Sequence, residues 1–156
     1  MKDTPKGKMI KGTLDNSLGC VINAELANKV EPAYETWFLF TVGEERGGYG
    51  AGLVLELFER NNISPSLCVA IDVTFPSKRK GEDTTLCYVE GFSNKRMKKI
   101  VEKFVKDNGL YPSVKCRDSM VFDESHVYGV LYPSFACGPV IYGSTHAESG
   151  NFDLVS

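Results

Sequence analysis

Apolar residues Leu14, Leu18, Val21, Ile22, Leu26 and Val30 recur at the spacing of one helical face, and Asp15 or Asn16 stands where an N-cap belongs. This predicts an amphipathic helix that ends near Pro32. Residues 36–42, Thr-Trp-Phe-Leu-Phe-Thr-Val, are a continuous aromatic and β-branched run, which predicts a strand buried on both faces and stopped at Gly43-Glu44-Glu45. The glycine turn Gly47-Gly48-Tyr49-Gly50 leads into a second helix. Its face is Ala51, Val54, Leu55, Leu57 and Phe58, and Asn61-Asn62 closes it. Residues 67–73 predict another buried strand, ending on Asp72, and residues 85–89 a third. A helix follows over 93–107 with Met97, Ile100, Val101, Phe104 and Val105 on one side. The last third is less regular: a strand at 113–116, a short helix after Asp123, and a strand at 139–142 before Gly143-Ser144-Thr145-His146. Helices alternating with buried strands predict an α/β three-layer sandwich with a mostly parallel central sheet.

Composition narrows the function classes. At 156 residues the chain suits one domain, which at that size buries roughly 70% of the surface its unfolded form would expose. The formal net charge is −2, and the two basic clusters, Lys78-Arg79-Lys80 and Lys95-Arg96-Met97-Lys98-Lys99, lack interleaved aromatics, so a nucleic-acid partner is not expected. No apolar run reaches membrane-spanning length, and the polar start lacks the apolar core of a secretion signal. Five cysteines, an odd number without metal-binding spacing and mostly inside apolar runs, behave as small buried hydrophobes and point to a reducing, cytoplasmic setting.

Candidate chemistry gathers at the ends of strands, where open α/β sheets bind ligands. Glu44 and Glu45 follow one predicted strand, Asp72 ends the next, and His146 follows the last. Singly, each has an ordinary reading: an acid after a strand is solvated, Asp15 caps a helix, and a histidine near a tail is exposed. Together they make an oxygen and nitrogen donor set suited to zinc, manganese or cobalt. The rivals are weaker. Cys137 and Ser144 lack a base and orienting acid at recognisable spacing. The glycine turn could cradle a phosphate but lacks the Gly-Lys-Ser/Thr ending, and helix packing explains it better. His126 reads as a surface residue.

The segment Phe40-Thr41-Val42-Gly43-Glu44-Glu45-Arg46-Gly47-Gly48-Tyr49-Gly50-Ala51 resembles the acidic-pair motif of the glutamyl and deblocking aminopeptidases, a co-catalytic zinc family that also carries the names cellulase M and endoglucanase. Gly12-Thr13-Leu14-Asp15-Asn16-Ser17-Leu18-Gly19-Cys20 resembles its bridging-aspartate stretch. Val69-Ala70-Ile71-Asp72-Val73-Thr74 resembles its strand ending on a metal-binding aspartate, and Tyr142-Gly143-Ser144-Thr145-His146 its terminal strand and histidine. The four blocks occur in the family's order.

The resemblance implies that Asp15 bridges two metals, that Glu45 and His146 complete one site, that Asp72 binds the second, and that Glu44 is the general base. It implies a zinc-dependent (or cobalt- or manganese-dependent) aminopeptidase-like hydrolase of short peptides. The departures are specific. Residues 1–156 then form a single catalytic domain lacking the family's N-terminal strand, which carries the first histidine, and its inserted domain. One tight metal site and a weaker second are therefore expected, and a free sheet edge favours self-association into a homo-oligomer. Asn16 and Ser17 stand where the family has an acid and an arginine, Ala147-Glu148-Ser149-Gly150 replaces Ser-Pro-x-Glu, and Asp123 aligns loosely with an aspartate before the last strands. The alternative is a catalytically inactive peptidase-like binding or assembly subunit.

Overall fold

The computed structural model describes residues 8–12, 14–76, 84–118, 123–142 and 150–154. Its main sheet has four strands, β2 (Cys68–Ile71), β3 (Cys87–Glu90), β4 (Val114–Cys116) and β5 (Ser134–Pro139), in the order β2-β5-β3-β4. The β2–β5 and β3–β4 pairs are parallel, and the central β3–β5 pair is antiparallel. The sheet is mostly parallel, as expected, with one antiparallel pair at its middle. A second, antiparallel sheet joins β1 (Lys8–Gly12) and β6 (Ile141–Tyr142) to either side of β7 (Gly150–Leu154).

The helices form where the apolar spacing places them. α1 (Ser17–Lys29) is capped by Asn16, whose side chain accepts from the Gly19 N–H, and α3 (Lys95–Asp107) by Asn94 in the same manner. α2 (Tyr49–Arg60) starts after the glycine turn, and the short α4 (Glu124–Gly129) is capped by Asp123. Cross-strand pairing puts Ala70, Ser134, Ala136, Tyr88 and Glu90 on one face of the sheet and Cys87, Val89, Cys116 and Cys137 on the other. α4 covers the first face, with Ser134 Oγ donating to the Ser125 carbonyl at 2.8 Å. α3 lies against the second, where its Lys98, Glu102 and Lys106 act on Cys116. Helix, sheet and helix make the α/β sandwich. Among the described residues, no helix is long and apolar enough to cross a membrane.

Residues 36–42 correct the sequence reading. They form no strand, and Trp37, Phe40 and Val42 are 46%, 57% and 73% exposed. No strand among the described residues pairs with them, and backbone without a ladder partner stays irregular whatever its β propensity. β2 is also less buried than its apolar sequence suggests, since Val69 is 43% exposed. The strand expected at 139–142 starts earlier, at Ser134, and breaks into β5 and β6.

Gly138 in β5 packs against the end of β2 so tightly that a Cβ there would lie 1.3 Å from the Asp72 carbonyl oxygen. Only glycine fits. Four of the five cysteines, expected mostly as small buried hydrophobes, are half-buried, and Cys20 is exposed. Burial raises the thiols of Cys68, Cys87, Cys116 and Cys137, which makes them poor nucleophiles.

Candidate functional site

The chain folds so that several acids meet over the α4 face. Asp15 precedes α1, joined to Asn16 by a cis peptide. Glu44 and Glu45 lie in a single 3-10 turn (Glu44–Arg46) between left-handed Gly43 and Gly47, which turns the backbone sharply before α2. Asp72 follows β2, and Asp123 caps α4. Thr41 Oγ1 donates to Glu124 Oε1, tying the approach to the double-glutamate turn to α4.

Electrostatics shows that these acids share one neighbourhood. Burial pushes the Glu44 carboxyl above the usual carboxylate range, and Glu45, Asp15, Glu124 and Asp123 push it further. Burial raises Asp72 to about 7; Asp15, Glu44 and Asp123 add to the rise, while the Val73 N–H, donating to Asp72 Oδ1 at 2.7 Å, opposes it. Asp123 is raised by burial and by Glu90, with Ser125 and His126 pulling it back. Its Oδ1 accepts from the Ser125 N–H at 2.6 Å, whereas its buried Oδ2 has no hydrogen-bond partner among the described residues. Carboxylates that resist ionisation because they are buried, and further because of one another, are a suitable setting for a cation, which offsets both penalties.

The donor chemistry therefore fits a divalent metal. The geometry is less complete: among the described residues, no three His, Cys, Asp or Glu side chains form a coordination group. Asp15, Glu44 and Asp72 are brought into mutual influence, and Glu45 sits beside Glu44. His146 lies outside the described residues, as does Ser144.

Sequence reasoning gave too little weight to Asp123 and missed the group that flanks it. Fully buried Glu90 receives the guanidinium of Arg117, through Nε to Oε2 and through Nη2 to Oε1 at 3.0 Å. Arg117 Nη1 also donates to the Phe75 carbonyl at 2.9 Å, and its Cζ lies 4.0 Å from the centre of the Tyr88 ring. One arginine thus joins the end of β3, the end of β4 and the loop that follows Asp72. An acid at a strand end and an arginine 27 positions on carry no spacing signal that could have paired them.

A sequence profile described as M42 glutamyl aminopeptidase matches residues 1–118. No curated protein sequence matches the chain. Among solved structures, the Pyrococcus horikoshii TET1 peptidase, which can assemble into a tetrahedron or a large octahedral shell, superposes with a TM-score of 0.70 at 18% identity, over 95% of this chain and 46% of that one. The PhTET1-12s dodecamer gives 0.69 at 18% identity, over 97% and 48%. The Legionella pneumophila LapA aminopeptidase gives 0.58 at 18% identity, over 80% and 34%. The chain spans about half the length of the TET1 structures, and at this identity the likeness shows the fold.

Proposed function

Because the chain belongs to the M42 glutamyl aminopeptidase family, we propose that it is a catalytic domain of a metal-dependent aminopeptidase-like hydrolase acting on short peptides. The observation that supports this best is that Glu44 and Asp72, each raised first by burial, both also feel the charges of Asp15 and Asp123. Asp15, Glu45 and His146 are the residues assigned to hold one divalent cation, with zinc the best match to an oxygen and nitrogen set, and Asp15 with Asp72 a weaker second. A cation held there supplies Lewis acidity toward the scissile carbonyl and the attacking water.

Glu44 is the proton carrier. Burial and the neighbouring acids raise its carboxyl above that of an ordinary glutamate, which makes it readier to hold a proton and pass it on. One Glu44 oxygen accepts the proton of the attacking water, and the same atom then delivers it to the nitrogen of the leaving amine. Adjacent side chains in the Glu44–Arg46 turn point in different directions, which lets one glutamate serve the metal and its neighbour the proton. Self-association into a homo-oligomer belongs to this reading, supported by the assembly of the TET1 peptidase, as does a cytoplasmic location, supported by the inert, half-buried thiols.

A second reading is an inactive binding or assembly subunit, favoured by Asn16 and Ser17 standing where the resembled bridging-aspartate stretch has an acid and an arginine. Hydrolysis of aminoacyl chromogenic substrates with zinc or cobalt supplied separates the two. Glu44→Gln should lower the rate by roughly 100-fold or more with metal content unchanged. A wild-type chain silent on peptide and ester substrates alike would leave the subunit reading standing.

A further inference from the structure

Asn16 makes two hydrogen bonds of different character. Its amide oxygen accepts from the Gly19 N–H at 3.0 Å, an ordinary helix cap. Its amide nitrogen donates to the Ile71 carbonyl at 2.7 Å, joining positions 55 apart in the sequence. Each end of that second bond adjoins a carboxylate of the cluster: Asn16 follows Asp15, and Ile71 precedes Asp72. The contact is tight, since a Cβ on Gly19 would lie 2.2 Å from Asn16 Oδ1 and 2.5 Å from the Ile71 oxygen.

The amide suits this place in a way its relatives do not. A carboxylate would keep the cap but could not donate to the Ile71 carbonyl, and it would add a further negative charge beside Asp15 and Asp72. A serine would cap the helix but is too short to span to Ile71 while doing so. Asp15 and Asp72 repel each other, so their separation must be imposed by the scaffold. A neutral side chain bonded to both backbone segments imposes it without increasing the repulsion.

We propose that Asn16 is a positioning residue which, beyond capping α1, fixes Asp15 and Asp72 at a separation that lets them share a divalent cation. This rests on the metal-site reading above. The test is calorimetric titration of the purified chain with Mn2+, an ion that prefers oxygen donors and passes over the cysteines, with thermal unfolding of the metal-free protein in parallel. Asn16→Ser keeps a capping oxygen and loses the tether; Asn16→Ala loses both. Asn16→Ser should weaken Mn2+ binding about tenfold, as removal of a ligand-orienting partner does, with little change in unfolding temperature. Asn16→Ala should weaken binding equally and also lower the unfolding temperature, because the cap is gone. Wild-type affinity in Asn16→Ser would reduce Asn16 to a cap and overturn the proposal. Absence of saturable Mn2+ binding in the unmutated chain would instead overturn the metal-site reading, and this proposal with it.

Discussion

Ser134–Pro139 and residues 36–42 are both short, uncharged and largely apolar, yet they occupy opposite environments. The first is the inner strand β5, with β2 on one side and β3 on the other, and Ser134 fully buried against α4. The second has the stronger β propensity and is mostly solvent-facing irregular chain, held by single bonds such as Asn23 Nδ2 to the Leu39 carbonyl at 2.9 Å and the Gly50 N–H to the Val42 carbonyl at 2.9 Å. Backbone partners decide the difference. β5 has ladders on both edges, and its small residues let α4 and the end of β2 come close. The aromatic run has bulk but no ladder, so its side chains stay where its backbone leaves them.

The comparison can be attacked first at the buried wall. Arg117→Met removes the guanidinium that grips fully buried Glu90 through Nε and Nη2, and breaking that buried ion pair should cost about 3–5 kcal/mol. The unfolding temperature should then fall by on the order of 10 °C. A loss of only a degree or two in thermal unfolding would mean that the wall tolerates loss of the guanidinium and is not the rigid half of the molecule.

A smaller effect, opposite in sign, is expected at the cluster. Asp72 titrates at about 7 in the folded chain against 3.8 ordinarily. Its contribution to stability is thus fully present below pH 4 and is lost as pH rises to 7, where the folded state must accept a charge it resists. In metal-free protein, Asp72→Asn should stabilise by about 1–3 kcal/mol at pH 8 and by nearly nothing at pH 3.5, the roughly 1.4 kcal/mol per pH unit of displacement being reduced by the partial solvent exposure of this half-buried carboxyl. Urea unfolding at the two pH values checks this. Equal effects at both would show that burial and the neighbouring acids do not set the protonation of Asp72.

The smallest effect belongs to the exposed run. Phe40→Ser should change stability by no more than about 0.5 kcal/mol, because its side chain is already 57% exposed. A loss of several kcal/mol in the same urea experiment would show that residues 36–42 are covered in solution by another chain or another strand.

These contrasts mark where the sequence is legible. α1, α2 and α3 were readable because periodic apolar positions and asparagine caps are local signals, spelled out within three or four residues. The start of β5 is not legible because Phe135-Ala136-Cys137-Gly138 has no β-branched residue, and its place follows from contacts to Asp72 and Ser125 that local sequence does not contain. For the same reason residues 36–42 were misread: propensity was local, and the missing ladder was not. In the candidate site, the order of the Asp15, Glu44-Glu45 and Asp72 blocks was visible, and the fold brings Asp15, Glu44 and Asp72 into mutual influence. The bonds of Asn16 to Ile71 and of Arg117 to Glu90 span 55 and 27 positions, so only the folded chain displays them.

The contact between Gly138 and the Asp72 carbonyl sets two adjacent positions on different evolutionary clocks. Asp72 contributes a carboxylate, and a lineage that had given up hydrolysis would be free to exchange it for a polar neighbour of similar size. Gly138 contributes an absence of atoms, and no lineage that keeps the sheet can fill it. Among descendants of this chain, relaxed chemistry would register as drift at 15, 44, 45 and 72 while 138 stood still. Loss of the fold itself would release all five together.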